Sequence, residues 1–588
     1  MNANADMLFE ASWEITNKCG GIYTVISSKA KIMQSFYKKY ISIGPLFDKL
    51  PLDFTKEETP EEFQDIFSEL KSQGIKCVYG TWNILGAPKT ILIDGRILYH
   101  DLNNIKTTLW NNFQVDTLNC ANDFNEPLIW SWAVGIFLDK VAKKFNDKKI
   151  VGHFHEWLSG FALLYLRLNK SNVKTVFTTH ATMLGRSISQ SGEALRRILD
   201  LINPIDKARE LRIIDKHSTE HACANNADVF TTVSDITANE CNKFFNRLPD
   251  ILPNGLLIED FPNFERASYN HINLKRRLKE KIKAYFFPYY TFDVENSLLF
   301  YFGGRYEFIT KGLNVLPKAL GKLNNYLKLS NSNQNIVMLF LVAANSQGPK
   351  KEVLENENNY DDIKQFMDTI TESVENKIVY EILSEKEPSN LLDKEELIAL
   401  KMHYYKMKKD GLPPLCSHNL NYDEINDPLL NELKANGLLN RSEDQVKIIM
   451  VPYYLDGSDS FLDMEYYDIV NASHLGIFPS LYEPWGYTPL ESIAFGVPAI
   501  TSEEAGFGKF LKDKLPSTYQ GVFLYNWQNN VFDASDRIFE LMRNYISFNR
   551  HARVACKMNA HKLSYHADWK NLITYYIQAH NKALESNK

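Results

Sequence analysis

The chain has 588 residues, 44% of them hydrophobic and 23% charged, and this balance excludes extended disorder. The length exceeds what one hydrophobic core supports, so we expect two large domains. A net charge of -6 without a basic block argues against binding to nucleic acid or to an anionic membrane through bulk charge.

The cysteines and the apolar segments indicate the cellular setting. The seven cysteines are dispersed and form no CxxC pair, which is typical of reduced thiols in a cytoplasmic protein. The N-terminal segment has no basic stretch before an apolar core, so we expect no signal peptide. The longest apolar run, residues 336–344, is too short to cross a bilayer as a helix and is better explained as a buried strand.

Short β-rich apolar runs, each followed by a helical pattern, recur along the chain. They are KIVGHFH, KTVFTTHA, DVFTTVS, SLLFYFGG, NIVMLFLVAA, VKIIMVPYY, HLGIFPS and VPAITS. This alternation predicts an α/β fold with doubly wound, mainly parallel sheets. One exception is ILIDGRILY, where Asp94 and Gly95 separate two apolar runs and predict a β-hairpin.

The first candidate site is the loop at residues 17–23, between the strand-like FEASWEI and the helix-like YTVISSKAKIM. Gly20 and Gly21 let the backbone approach a ligand closely, and the helix start offers N–H groups to an anion. Lys18 adds a positive charge. The residues predict an anion site, although a glycine-rich turn that only permits tight packing explains them as well.

The domain boundary is predicted between Asn254-Gly255 and Ser297, in a charged, aromatic-rich stretch unlike a strand–helix unit. A second atypical stretch, from about residue 349 to 441, is rich in Lys, Glu and Asn and has helical periodicity. We interpret it as a helical insertion in the second domain. It is either a solvated arm or a contact between subunits.

The second candidate site is the segment at residues 303–312, which follows the apolar run SLLFYF. We expect Arg305 at the strand end and Lys311 at the start of the next helix, so that both point into one cleft. A guanidinium fork and an ammonium together suit a diphosphate. The alternative is a surface pair between Arg305 and Glu307.

The third candidate site is the segment GIFPSLYEPWGYTPLE at residues 476–491. Thr488 is predicted to cap a helix, with Pro489 at its first position and Glu491 completing a capping box, so Glu491 also has a purely structural explanation. Glu483 has no such explanation, because it precedes Pro484 in a loop rich in glycine and aromatic residues. The helix start behind it is another potential anion site.

The histidine-rich segments do not predict a metal site. His153 and His155 alternate on a strand, and His217 and His221 lie four apart near Cys223. Neither pattern is HExxH or paired CxxC. There is also no Asp-X-Asp, so we expect arginine, lysine and helix dipoles, not a metal ion, to meet phosphate charge.

Taken in order, these segments closely resemble the glycogen synthases of the animal and fungal type. The resemblance runs through EITNKCGGIYTVISSKA, GHFHEWLSG, TTHATMLGR, ADVFTTVSDIT, LPNGL, GRYEFITKG, EYYDIVNASHLGIFPSLYEPWGYTPLES and GVPAITSEEAGFG. It implies a GT-B architecture, with two Rossmann-like domains around a deep cleft. The implied bounds are 1–275 for the acceptor domain, 276–560 for the nucleotide-sugar domain and 561–588 for a helix that crosses back to the first domain.

The resemblance also implies roles for individual residues. UDP-glucose would be held by residues of both domains: Lys18, Gly20, Gly21, Asn254, Arg305, Lys311, Tyr466, Tyr487 and Thr488. His180 would lie beside the transferred glucose and Glu156 near the acceptor sugar. Glu483 would stabilise positive charge as the glycosidic bond opens, and Glu491 would support it. His180, Arg305, Lys311, Glu483 and Glu491 are thus the expected catalytic residues.

The family's arginine-rich regulatory helix corresponds here to FNRHARVACKMNAHKLS. The segment keeps Arg550, Arg553, Lys557 and Lys562 but dilutes them with neutral residues. We therefore expect weak or no activation by glucose 6-phosphate.

The resemblance implies retaining transfer of glucose from UDP-glucose to an α-1,4-glucan such as glycogen. It implies no cofactor and no metal, and the helical insertion favours a homo-oligomer, a dimer or a tetramer. The alternatives are a related transferase that uses ADP-glucose or makes a small glucoside, and a catalytically silent glucan-binding protein.

Overall fold

The computed structural model describes residues 2–118, 120–385, 387, 391–527 and 530–586. The strands, in chain order, are β1 (Met7–Ala11), β2 (Lys39–Pro45), β3 (Phe54–Lys56), β4 (Lys76–Trp82), β5 (Lys89–Asp94), β6 (Ile150–His155), β7 (Lys174–Thr179), β8 (Val229–Thr232), β9 (Asp250–Ile251), β10 (Leu298–Arg305), β11 (Ile336–Ala343), β12 (Ser346–Pro349), β13 (His418–Leu420), β14 (Val446–Val451), β15 (Leu475–Phe478), β16 (Ala499–Ser502) and β17 (Val522–Tyr525).

The α-helices lie between these strands and cover the sheets. They are α1 (Gly21–Phe36), α2 (Glu61–Ser72), α3 (Leu102–Phe113), α4 (Asn122–Lys144), α5 (Glu156–Leu168), α6 (Met183–Gln190), α7 (Leu195–Ile198), α8 (Pro204–Glu210), α9 (Ile214–Asn226), α10 (Asp235–Phe245), α11 (Phe264–Phe286), α12 (Leu316–Leu329), α13 (Lys351–Leu383), α14 (Lys394–Met407), α15 (Pro428–Ala435), α16 (Tyr466–Ala472), α17 (Tyr487–Ala494), α18 (Gly506–Leu511), α19 (Val531–Ser547), α20 (Arg550–Ser564) and α21 (Trp569–Glu585).

Two large sheets organise the chain. The first has the order β3-β4-β5-β2-β1-β6-β7-β8-β9 and is parallel except at β3 and β4. The second has the order β14-β11-β10-β15-β16-β17 and is parallel throughout. We call each sheet with its covering helices the first and the second unit. The predicted α/β fold with two doubly wound domains is confirmed.

The predicted hairpin at Asp94 and Gly95 is wrong. Only the run before the glycine is a strand, β5, and the following residues form a 3₁₀ helix, Arg96–Asp101. Gly95 has a φ of -100°, not the positive φ of a tight hairpin turn. A Cβ at Gly95 would lie 2.8 Å from the carbonyl oxygen of Ile129, so the glycine permits close packing of α4.

The order of each sheet reverses at one place. In the first unit β1 lies between β2 and β6, and in the second unit β10 lies between β11 and β15. Loops that leave neighbouring strands at such a point diverge to opposite faces and open a crevice, which is where ligands of doubly wound sheets bind. The three predicted motifs follow β1, β10 and β15, so each lies at the reversal point of its own sheet.

The region from about 349 to 441 contains the helices α13 and α14, which pack against each other. Residues 386 and 388–390 of this region lie outside the described residues. Few side chains of either helix are buried: Val353, Asn356 and Ile370 of α13, and Met407 of α14. The region predicted as a helical insertion thus contains a largely exposed helix pair, followed by β13 and α15.

The last helix, α21, packs on α1 and on the strands β6, β7 and β8 of the first unit. Trp569, at its start, is fully buried and donates its indole N–H to Ser28 at 2.7 Å. The chain thus returns to the first unit after completing the second, while the domain bounds at residues 275 and 560 stay predictions. Within the described residues, no helix combines the length and the apolar character that a bilayer crossing requires.

Candidate active site

The loops after β10 and β15 are joined by backbone hydrogen bonds. The N–H groups of Leu481 and Tyr482 donate to the carbonyl oxygen of Thr310, at 2.9 and 3.3 Å. Gly312 allows this contact, since its φ is +72° and a Cβ there would lie 2.0 Å from the carbonyl oxygen of Pro479. This pairing holds the two loops of the second unit side by side at the crevice.

Lys311 and Glu483 form an ion pair across these two loops, with both side chains largely buried. The prediction that Lys311 begins a helix is wrong, because the chain makes successive turns after β10 and α12 starts only at Leu316. The turns place the ammonium against the carboxylate of Glu483. The pair brings together a cation suited to phosphate and the carboxylate predicted to face the sugar.

Arg305 ends β10, as predicted, and its guanidinium pairs with Glu307 at 3.0 Å. The surface alternative weighed for this residue is therefore the arrangement that the structure has. The Arg305 side chain is 59% exposed, and such a solvent-exposed pair contributes little stability. Rotation of the guanidinium toward a more highly charged ligand would therefore cost little.

Glu491 does not belong to a capping box. The N-cap of α17 is Gly486, with a φ of +109°, and no side chain caps this helix end. Thr488 lies inside the first turn instead, because the left-handed glycine starts the helix earlier than Thr488 and Pro489 suggest. Glu491 instead accepts a hydrogen bond from the hydroxyl of Tyr467 at 2.9 Å. The capping role that offered a structural explanation for this residue is therefore absent.

Electrostatics connect Glu491 with the first unit. Burial raises the pKa of its carboxyl, while the hydrogen bond from Tyr467 and the positive charge of Lys18 oppose the rise. Lys18 lies in the loop after β1, and its ammonium is 6.0 Å from the ring of Tyr454 in the second unit. The structure therefore places the Lys18 ammonium near an aromatic side chain of the second unit.

The start of α1 is only partly available to an anion. The N–H of Tyr23 donates to the carboxylate of Glu14 at 2.8 Å, and a Cβ at Gly20 would lie 2.9 Å from the same carboxylate. The expectation that this helix offers its N–H groups to a ligand is wrong for Tyr23. Gly21 faces the second unit, where a Cβ would come within 3.9 Å of the Tyr487 ring.

His180 and Glu156 lie at the ends of neighbouring strands of the first unit. Glu156 has a φ of +64°, which is strained for a residue with a side chain. Its Oε1 accepts the N–H groups of His180 and Ala181, at 2.8 and 3.1 Å. Burial raises the pKa of Glu156 to about 7, against the opposing effect of Arg186. The contact predicted between Glu156 and an acceptor sugar would therefore use the other carboxyl oxygen, Oε2.

Arg186 was missed by the sequence analysis. It lies in α6. Burial acts to raise the pKa of Glu14 and Glu156 in the first unit and of Glu307 and Tyr482 in the second, and the positive charge of Arg186 opposes this effect at all four. We find no ion pair to its guanidinium among the described residues. The residue ends the quoted segment TTHATMLGR, so that segment contained the signal.

The nucleotide positions meet between the units. Tyr487 donates its hydroxyl to the carbonyl oxygen of Gly255 at 3.3 Å, which joins α17 to the end of the first unit. The neighbouring Asn254 is buried, and its side-chain oxygen has no hydrogen-bond partner in the described structure. Tyr466 begins α16 and packs against Gly303, where a Cβ would lie 2.7 Å from its hydroxyl.

Three of the basic residues of α20, Arg550, Arg553 and Lys557, lie near Lys275 of α11. Burial, with Lys275 nearby, lowers the pKa of Lys557 to about 7. Burial lowers the pKa of Lys275, and the charges of Arg550 and Arg553 lower it further. Lys562 is exposed. The structure adds Lys275 of α11 and two imidazoles in edge-to-face contact, His271 and His474, with ring centroids 5.3 Å apart. The sequence analysis considered α20 alone and did not include these groups.

Glu10, His153 and His155 lie close enough together to share a metal ion. The ammonium of Lys29, however, pairs with the same carboxylate of Glu10. A cation beside this carboxylate disfavours a second one, so the donor set fits a metal ion poorly. The prediction that phosphate charge is met without a metal does not depend on this cluster.

A cavity of about 680 Å³ opens beside the Lys311–Glu483 pair, between α7 and the loops after β15, β16 and β17. Its lining includes Leu481 and Tyr482, which precede Glu483, and the indole of Trp527. Arg196 of the first unit and Glu504 of the second form an ion pair at its wall, at 2.5 Å. The cavity is therefore shared by the two units.

Comparison with known proteins covers nearly the whole chain. The model of the glycogen synthase family matches residues 10–587. Isoform 2 of glycogen [starch] synthase from Saccharomyces cerevisiae is 34% identical over 98% of this chain and 86% of its own length. The glycogen [starch] synthases of Neurospora crassa and of rat liver are each 32% identical over 98% of this chain and 83% of their own length.

Solved structures agree on the fold. The catalytic domain of starch synthase IV from Arabidopsis thaliana, bound to ADP and acarbose, superposes with a TM-score of 0.51 at 13% identity and covers 99% of both chains. A trehalose-phosphate synthase from Burkholderia vietnamiensis gives a TM-score of 0.50 at 9% identity over 98% of this chain and 100% of its own. At these identities the likeness concerns the GT-B architecture alone.

Proposed function

The chain belongs to the glycogen synthase family and is a glycosyltransferase, and we propose that it transfers glucose from UDP-glucose to the non-reducing end of an α-1,4-glucan with retention. The observation that carries this proposal is the Lys311–Glu483 pair at the crevice of the second sheet. The pair places a phosphate-binding cation next to a carboxylate, at the point where doubly wound sheets bind their ligands.

The cations support a diphosphate leaving group. Lys311 and Arg305 belong to the second unit, and Lys18 and Arg186 belong to the first. Lys311 and Arg305 are paired with Glu483 and Glu307, and the diphosphate would compete for both cations. As the bond to the sugar breaks, charge develops on the diphosphate, and fixed cations in a water-poor cleft lower the barrier electrostatically.

Release of Lys311 toward the diphosphate would leave Glu483 as a free carboxylate. The carbon that loses UDP acquires oxocarbenium character, and a nearby negative charge stabilises it. The proposed reaction is front-face transfer, in which the acceptor hydroxyl attacks from the side that the diphosphate leaves. It requires no covalent intermediate with the protein.

The cavity beside the Lys311–Glu483 pair supports a glucan acceptor. It joins apolar surface from Leu481 and Trp527 to charged groups from both units. Sugars bind surfaces that offer a flat apolar face with polar groups around it. A chain end that entered along this cavity would reach the loop that carries Glu483.

The decisive experiment measures transfer of labelled glucose to glycogen, with UDP-glucose and ADP-glucose compared. We expect incorporation from UDP-glucose that α-1,4-specific digestion releases. Glu483→Gln removes the charge at nearly constant shape and should lower kcat by about 100-fold or more with UDP binding retained. Glu265→Gln, exposed at the start of α11 and outside the lining of the cavity, is the control and should keep normal turnover.

The rival functions give different results in the same experiment. Preferential incorporation from ADP-glucose would assign the other donor. Glycogen binding without transfer from either donor would support the silent glucan-binding protein. Near-normal turnover of Glu483→Gln would show that Glu483 is wrongly assigned.

A homo-oligomer is part of the proposal, and the helix pair α13–α14 is its proposed contact. Several large apolar side chains of this pair are exposed, among them Val379, Tyr380, Ile382, Leu383, Ile398, Met402 and Tyr405. Exposed apolar patches of this kind are typical of protein contacts. Light scattering of the intact chain should give a dimer or a tetramer, and a monomeric mass would contradict this part.

A further inference from the structure

A buried chain of hydrogen bonds leads from His180 to Glu10. His180 Nε2 lies 2.9 Å from His155 Nδ1, and His155 Nε2 lies 2.7 Å from Glu10 Oε1. All three side chains are buried. They come from the ends of three adjacent strands, β1, β6 and β7, so the rigid sheet holds them in place.

Glu10 is held as a carboxylate. Burial alone would raise its pKa, but the Lys29 ammonium and the hydrogen bond from His155 keep that pKa well below its usual range. The hydroxyl of Tyr40 donates to the second oxygen of Glu10 at 2.6 Å. A carboxylate can only accept hydrogen bonds, so the proton between Glu10 and His155 is on His155 Nε2.

The remaining protons follow from this one. Burial lowers the pKa of His155, so the ring is neutral and its Nδ1 can only accept. His180 must therefore donate from Nε2. Burial also lowers the pKa of His180 well below its usual value, and its Nδ1 is then left without a proton. No hydrogen bond to that Nδ1 is found among the described residues.

We propose that Glu10 is a positioning residue which, through His155, holds His180 in the Nε2–H tautomer and so presents Nδ1 as a hydrogen-bond acceptor to a hydroxyl group of the donor sugar. The inference deepens the proposed function and rests on it, because it takes the sugar to lie beside His180. Without the carboxylate, the His155 ring can turn or change tautomer, and His180 loses the partner that sets its own.

The test compares kcat/KM for UDP-glucose with kcat/KM for each of its monodeoxy analogues. The wild-type enzyme should discriminate against one analogue by about tenfold or more, because the analogue leaves the acceptor nitrogen unpaired. Glu10→Gln alone would leave the Lys29 ammonium buried without a partner, so the variant is Glu10→Gln with Lys29→Met. In this double variant, discrimination against that analogue should fall about tenfold, while the Kd of UDP should not change.

A second variant avoids the ion pair altogether. His155→Gln keeps Glu10 and Lys29 but removes the imidazole that connects them to His180, and it should lose the same discrimination. The matched control is His580→Gln. His580 contacts His153 at 3.0 Å in the same buried cluster and makes no hydrogen bond to His155 or His180. The control should keep the discrimination.

Three outcomes would overturn the inference. One is that the relay variants slow all donors equally and keep the wild-type discrimination, which would make the cluster purely structural. Another is an equal loss in His580→Gln. The third is a wild-type enzyme that transfers glucose but discriminates against none of the analogues. Absence of transfer from UDP-glucose would instead overturn the proposed function, so the two failures are distinguishable.

Discussion

Tyr482 donates its phenolic hydroxyl to Glu240 at 3.0 Å, and this bond joins the two units directly beside Glu483. Neither residue is exposed by more than 7%. Thr182, the N-cap residue of α6, donates to the same oxygen of Glu240 at 2.7 Å. The loop that carries the predicted catalytic carboxylate is therefore anchored to the opposite wall of the cleft.

Removal of this anchor should affect turnover more than nucleotide binding. Tyr482→Phe deletes one buried hydrogen bond, which should lower the free energy of unfolding by about 1–2 kcal/mol. Because the loop beside Glu483 loses its contact with the first unit, kcat should fall several-fold while the Kd of UDP stays constant. Chemical denaturation, steady-state kinetics and UDP titration measure these effects.

The matched control is Tyr285→Phe, which removes a buried hydroxyl that donates to the carbonyl oxygen of Pro414 at 2.8 Å, outside the cleft. It should cost similar stability and leave kcat nearly unchanged. Equal loss of kcat in both variants would contradict a role for the cross-unit bond.

The pH dependence of stability should reveal the carboxyl of Glu240. Burial raises its pKa to about 7, so the folded protein binds a proton there that the unfolded chain has released above its ordinary pKa. The folded state therefore takes up more protons between about pH 4.5 and 7, and stability falls as the pH rises through this range. In Glu240→Gln this fall should be smaller by about 3 kcal/mol.

Denaturation at a series of pH values measures this slope. The exposed Glu265→Gln is the control and should keep the wild-type slope. The expectation for Glu240 fails if its variant shows the same fall in stability as the wild type between pH 4.5 and 7.

Gly312→Ala should damage the active site through a backbone clash. The new Cβ would lie 2.0 Å from the carbonyl oxygen of Pro479, in addition to the strain of a φ of +72°. The loops that hold Lys311 and Glu483 must then separate. We expect a loss of at least about 2 kcal/mol of stability and a strong loss of transfer activity.

Gly437→Ala separates the clash from the strain. Gly437 has nearly the same φ, +73°, but nothing lies within 4 Å of its added Cβ. Its alanine variant should cost only the strain and keep full activity. If both variants behave alike, the contact with Pro479 is not what requires a glycine at 312.

Activation by glucose 6-phosphate is expected to be weak, because neutral residues dilute the basic groups of α20. The rate of transfer with and without this effector is the measurement. A several-fold rise that disappears in Lys557→Gln would contradict the expectation. It would show that Lys275, His271 and His474 restore the cluster that α20 lacks alone.

The parts of the fold that follow from short-range pattern were predictable. The apolar runs at β6, β7, β8, β10, β11, β14, β15 and β16 were each identified, because a strand buried on both faces must be apolar throughout its length. Lys18 and Glu483 were assigned to loops that follow strands and Arg305 to a strand end, and the structure places them there. Lys311 was assigned to a helix start but lies in the turns after β10.

The errors concern turns and helix starts, where residue type alone did not indicate the backbone conformation or the partner of an N–H group. Gly95 serves packing against α4 and not a hairpin. Gly486 starts α17 before Thr488, so the apparent capping box does not form. Glu14 takes the N–H of Tyr23, nine residues ahead, which pattern alone does not indicate.

The sequence by itself determined the α/β alternation, the family resemblance and the identities of the charged residues at strand ends, since these depend on local periodicity and on residue type. Only the tertiary structure decided which charges meet. The Lys311–Glu483 pair, the Tyr482–Glu240 bond and the chain from Glu10 to His180 each join segments that are distant in sequence. Their geometry depends on how the sheets reverse their order and how the two units pack, and no local pattern encodes that.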